Sequence, residues 1–268
     1  FDRVLDQILE KKAHTLPKEQ ELLLAQSQDA TQGYSQIFTM FNNADVKFPP
    51  ITGENGQALP VTHGNYISLM ENQDRRIRRD AFLSLYSMYA QFSNTLAANF
   101  ASNAKQAVFY ARARGYASSR QYYLGENEVP EAVYDNLLQA VHSHMEGLHR
   151  YAGLRKKALG LEELHMCDLY VALVKEADRH FSFEEAKSIV REGLKPLGEE
   201  YGAILEEGFS NRWIDVYENE GKRSGAYSWG TYGSHPYVLL NFHGPLNDVF
   251  SLAHEMGPSI HTWYSDHN

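Results

Sequence analysis

The chain has 268 residues, 43% hydrophobic and 22% charged, enough for one large domain or two smaller ones with a packed core. Its 34 acidic and 25 basic residues leave a formal charge of −9, which argues against nonspecific nucleic-acid or anionic-membrane binding as the main activity. The single cysteine, Cys167, excludes an intrachain disulfide and fits a reducing compartment. No run approaches the ~20 apolar residues of a membrane helix, and the opening "FDRVLDQILEKK" has no signal-peptide pattern, so a cytoplasmic location is expected.

Most of the chain has helical period. "FDRVLDQILEKKAH" places Phe1, Leu5, Ile8 and Leu9 on one face. In "TLPKEQELLLAQSQ", Thr15 can cap a second helix and Pro17 suits its first turn. Residues 45–63 are rich in Pro and Gly, and Asn55-Gly56 is a hairpin-type turn signal, so a small β-ribbon is expected there. From Asp74 to Arg114 one long helix is predicted, with Gly115 closing it. Its basic run, Arg75, Arg76, Arg78 and Arg79 between Asp74 and Asp80, reads as a solvated face laced with ion pairs.

A further helix runs from Pro130 to Gly160. Its His142, His144 and His149 do not share a face, so no metal site is expected there. Ser182 and Glu185 form a capping box, and "EEYGAILEEGFSNRWIDVYE" continues the helical texture. Then "GKRSGAYSWGTYGSHPYVLLNFHG" brings glycines and aromatics. Its "HPYVLLNF" reads as a short strand and its "SGAYSWGTYG" as a loop or strand pair. "GPLNDVFSLAHEMG" opens a last helix, with Gly244 at the cap, Pro245 in the first position and Asp248 at the positive end. The fold class is mainly α.

That last helix carries the chemistry. Histidines at i and i+4 lie one turn apart on one face, so both imidazoles can reach one zinc ion at about 2.0–2.1 Å. A glutamate beside the first histidine can move a proton to and from the metal-bound water. Here His254 and Glu255 stand in the first two places, and Pro258 occupies the third. Proline has no ligand atom. Inside a helix it removes one hydrogen bond and clashes with the carbonyl four residues back, at a cost of about 3 kcal/mol. Gly257 adds roughly 1 kcal/mol. Read locally, the helix ends at Gly257-Pro258 and His254 is an ordinary, partly exposed histidine. His261, seven positions on, lies about 10.5 Å further along the axis and substitutes poorly.

The longer stretch "GKRSGAYSWGTYGSHPYVLLNFHGPLNDVFSLAHEMGPSIHTWYS" closely resembles the oligoendopeptidase F branch of the M3 zinc metallopeptidases. The family helix reads like "LAHELGHSMHSYYS", and this chain gives "LAHEMGPSIHTWYS" in register. The "HTLPKEQELLLAQ" helix, the Pro-rich ribbon and "DRRIRRDAF" also fit, so the resemblance spans essentially the whole chain. It implies a multi-helical zincin-like peptidase fragment with a small β element before the HExxH-type helix. Residues 1–73 would be the late N-terminal region and 74–268 the first part of the catalytic domain.

By that resemblance the cofactor is zinc, His254 is its first ligand and Glu255 the general base. Position 258 is the second ligand's place, and a third ligand is expected beyond residue 268. The substrates implied are short peptides, bound by backbone pairing along the strand before the helix. Ala226, Tyr227, His235 and Tyr237 are the candidate substrate contacts, with plain packing as the alternative. Pro258 implies weak or absent zinc binding and little activity. The rival readings are a non-catalytic peptide-binding relative and a helical scaffold in which the His-Glu pair is incidental.

Overall fold

A computed structural model describes residues 1–174, 179–219 and 221–267. The helices are α1 (Asp2–Lys12), α2 (Lys18–Thr31), α3 (Gly33–Met40), α4 (Tyr66–Glu71), α5 (Arg75–Gln91), α6 (Ser93–Ala113), α7 (Ser119–Gly125), α8 (Glu131–Ala158), α9 (Phe183–Leu194), α10 (Glu199–Ser210) and α11 (Leu246–His267). The short strands are β1 (Ile51–Thr52), β2 (Ala58–Leu59), β3 (Ile214–Asp215), β4 (Tyr227–Trp229) and β5 (Tyr237–Leu239). The fold is mainly α, as expected. Two compact units are present, one of residues Phe1–Val46 with Tyr89–Leu154, the other of Lys47–Met88 with Arg155–Asn268.

In the first unit, α3 packs on α6 and α6 on α7. The Arg114 guanidinium grips both oxygens of Glu21 at 2.8 and 2.9 Å, and His14 stacks on Tyr116 at 3.6 Å. The helix predicted across 74–114 is two helices. The break falls at Phe92, whose ring packs edge-on against Phe41 at 5.0 Å; no Gly or Pro marks it. On α1 the predicted apolar stripe, Leu5, Ile8 and Leu9, is exposed, as are Val133, Leu137, Val141 and Leu148 of α8.

The second unit holds two cores. The smaller gathers Ile51, Val61, Met70, Ile77, Ala81 and Cys167. Its ribbon pairs Ile51 with Leu59 and Thr52 with Ala58, and Gly56 takes the positive φ of +79° that the turn requires. Here the basic run departs from expectation. Arg76 does bridge Asp74 and Asp80 at the surface, but Arg78 is buried. Its guanidinium donates to Asp168 at 2.9 Å and to the Cys167 carbonyl at 3.2 Å. Arg75 holds the same carboxylate through two nitrogens, at 3.1 and 2.9 Å, and Arg155 donates to the Asp168 and Val171 carbonyls. A fully buried carboxylate is tolerable only when paired in this way.

The larger core collects Val190 of α9, Ile204 and Leu205 of α10, Trp213, Val238, Leu240, and Leu252, Met256 and Ile260 of α11. After α10 the chain does not stay helical. Ile214 and Asp215 pair in parallel with Val238 and Leu239, so the helical texture predicted through residue 218 stops at Ser210. The strand order is β3-β5-β4, with β4 antiparallel to β5. α11 packs on α9, α10, β4 and β5.

Candidate active site

The turn into α11 is built by Asp248. Its carboxylate accepts the N–H groups of His243 at 2.6 Å and Gly244 at 2.9 Å, a favourable charge at a helix N-terminus. Gly244 has φ +104°, and a Cβ there would lie 2.8 Å from the Phe181 carbonyl oxygen. Glycine is therefore required on both counts.

α11 buries Val249, Leu252, Met256, Ser259 and Ile260. That spacing puts His254 and Pro258 together on the opposite, exposed face, with Glu255 half-buried between the two. The helix does not end at Gly257-Pro258; it runs unbroken to His267. Pro258 lies on the solvent side, where water can take the place of the missing amide at the His254 carbonyl. His261 is also exposed. His267 is turned back on its own helix, stacked on Trp263 at 4.0 Å and bonded to its carbonyl at 2.7 Å.

Beside this face lies a strand edge. The amides of Val238 and Leu240 donate to Trp213 and Asp215, so those groups of β5 face β3. Tyr237 and Leu239 therefore face β4, and their register partners Trp229 and Tyr227 face back. Alternation leaves the N–H and C=O of Ser228 pointing out of the sheet. The strand just before the helix, β5, is central and paired on both sides, so it has no free edge. Among the described residues the open edge next to α11 belongs to β4.

The other sequence candidates divide. Tyr227 and Tyr237 are 41% and 48% exposed, on the sheet face away from α11. The Tyr237 hydroxyl meets Ser234 at 2.9 Å. His235 is engaged in packing, parallel to Trp213 and 4.4 Å from the Tyr237 ring. Ala226 lines a cavity of about 170 Å³ with Asn241, Asp248 and Ser251. Ser251 sits one turn before Glu255 on the same face.

His63 also lines this cavity. Burial pushes its pKa down, against the pull of nearby Glu218. Glu218 lies 3.2 Å from His243 Nε2, and its carboxyl is so close to Gly64 that a Cβ there would meet it at 2.4 Å. No spacing in the sequence links these three groups, and sequence reasoning did not find them.

The described residues do not assemble a zinc site. No group of three His, Cys, Asp or Glu side chains among them is arranged to hold a metal ion, and Pro258 brings no donor beside His254. What the arrangement offers is an exposed His254 next to a half-buried Glu255, alongside an open strand edge.

The sequence profile of peptidase family M3 matches residues 68–268, and a second profile, described as oligopeptidase F, matches residues 1–48. Oligopeptidase PepF of Bacillus subtilis is 45% identical over 99% of this chain and 40% of its own length. An oligoendopeptidase F homolog of Lactococcus lactis is 42% identical over 100% of this chain and 44% of its own. The crystal structure of oligoendopeptidase-F from Enterococcus faecium superposes with a TM-score of 0.65 at 44% identity, covering 77% of this chain and 39% of that one. All three relatives carry the names of peptidases. The chain belongs to peptidase family M3, in its oligoendopeptidase F branch. It spans less than half the length of the curated relatives it matches.

Proposed function

We propose that the complete protein is, by its family, a zinc-dependent endopeptidase of short peptides whose metal site is impaired by Pro258. The observation that carries this is the continuity of α11. His254 and Pro258 share one exposed face, as a ligand pair would, and one of the two positions has no donor atom. Changes beyond the ligands themselves cost 10–100-fold in affinity or activity, so loss of a ligand costs more.

In this reading His254 is a zinc ligand and Glu255 the proton-transfer group. A third ligand lies outside the described residues. Ala226, Tyr227 and Tyr237 are the substrate-side groups, with His235 packed behind Tyr237, and β4 pairs with the peptide backbone through Ser228. Backbone pairing tolerates many sequences, which suits relatives named oligopeptidases. A location in the cytoplasm and a domain boundary near residue 73 belong to the same proposal. The second reading, a non-catalytic peptide-binding relative, is favoured by the same open edge beside a defective ligand pair.

Hydrolysis of an internally quenched peptide by the complete protein separates the two. A gain of at least about 100-fold on Pro258→His is expected. Equal activity in both forms would contradict the assignment of position 258.

A further inference from the structure

We infer that Ser228 and Ser259 form a positioning pair that sets the register between the peptide-pairing edge of β4 and the His254–Glu255 turn of α11. The inference rests on the peptide-binding reading above.

Ser259 is fully buried. Its hydroxyl donates to the Glu255 carbonyl at 2.8 Å, which leaves its oxygen to accept. The Ser228 hydroxyl lies 2.7 Å away and is therefore the donor between the two. A directed chain results, from Ser228 through Ser259 to the backbone of Glu255. A serine inside a helix often bonds back to the carbonyl four residues earlier, and that alone would need no partner on the sheet. Here the partner is the one residue of β4 whose backbone groups point out of the sheet.

A second contact, one turn along α11, holds the backbone just past the same strand. A Cβ at Gly230, the residue that follows β4, would lie 2.1 Å from Thr262 Cγ2, so the backbone leaving the strand passes close against α11. An apolar pair at 228 and 259 would pack as well, because buried hydroxyls only offset their own desolvation when bonded. What the hydroxyls add is direction: they hold the strand at one longitudinal setting against the helix.

The test measures binding of a fluorescein-labelled heptapeptide containing alanine, leucine and phenylalanine, by anisotropy, to the complete protein with Pro258 in place. Ser259→Ala and Ser228→Ala should each weaken binding about tenfold, and the double variant should be no weaker than either single one. Melting temperatures are read in parallel. Ser228→Ala, at a half-buried position, keeps the test valid should Ser259→Ala fold poorly. A lowered melting temperature with unchanged affinity would reduce the pair to a structural contact and overturn the inference while leaving the peptide-binding reading intact. No binding by the unsubstituted protein or by Pro258→His would overturn that reading, and the inference with it.

Discussion

At the scale of single residues, Asp168 is the most consequential group outside the candidate site. Burial alone would raise its pKa, but hydrogen bonds from Arg75, Arg78 and the His165 amide outweigh it and hold the pKa at about 2. The folded value is below the ordinary 3.8, so its contribution to stability is complete above that pH and is lost as pH falls towards 2. Asp168→Asn should destabilise by roughly 3–5 kcal/mol in denaturant titrations, because it strands buried guanidinium charge. It should also flatten the acid limb; an unchanged limb would contradict the account.

His63 behaves with the same sign for a different reason. Burial lowers its pKa from the ordinary 6.5, so the unfolded chain takes up a proton first. Stability should decline as pH drops through about 6.5 and His63→Gln should remove that slope. None of this was legible in the sequence. The Arg75–Arg79 run looks solvated because its two nearest acids do pair with Arg76; Arg78 is buried by an aspartate 90 residues away. His254 and Glu255 were legible, since adjacency in a helix fixes their geometry without help from the rest of the fold.

Elements were read well where local chemistry decides and poorly where packing does. The capping box at Ser182–Glu185, the ribbon turn at Gly56 and the start of α11 all follow from nearby residues. The course of α11 past Pro258 does not. Five buried residues on its core face, Val249 to Ile260, outweigh a penalty of about 3 kcal/mol that falls on the solvent side. Pro258→His should therefore raise stability by up to about 3 kcal/mol without lengthening the helix; a fall would mean that the proline is accommodated in some other way.

The free edge was likewise assigned to the wrong strand. The glycine-rich loop hides the fact that β3 pairs with β5 from the far side, and only tertiary placement leaves β4 outermost. Gly230→Ala probes the contact of the backbone just after β4 with α11. It should cost about 1–3 kcal/mol through overpacking on Thr262, with part of that loss recovered in Gly230→Ala/Thr262→Ala.

For the whole molecule, the family was legible because its signature runs far beyond one short motif, and the profile matches bear that out. The exposed apolar residues of α8, among them Val133, Leu137, Val141 and Leu148, were not. In the structure they face outwards. Exposed apolar surface of this kind marks an interaction face or an aggregation liability. The 268-residue chain on its own should therefore self-associate in sedimentation, and less so as Leu137→Lys/Val141→Lys; a monomer at high concentration would count against this.

The central claim, a peptidase site disabled at one position, is tested most directly by zinc per chain. Elemental analysis would be run on the complete protein with Pro258 and as Pro258→His. The account predicts about one zinc for the histidine form and far less for the proline form. Equal zinc in both would contradict it, because another donor would then be serving in place of residue 258.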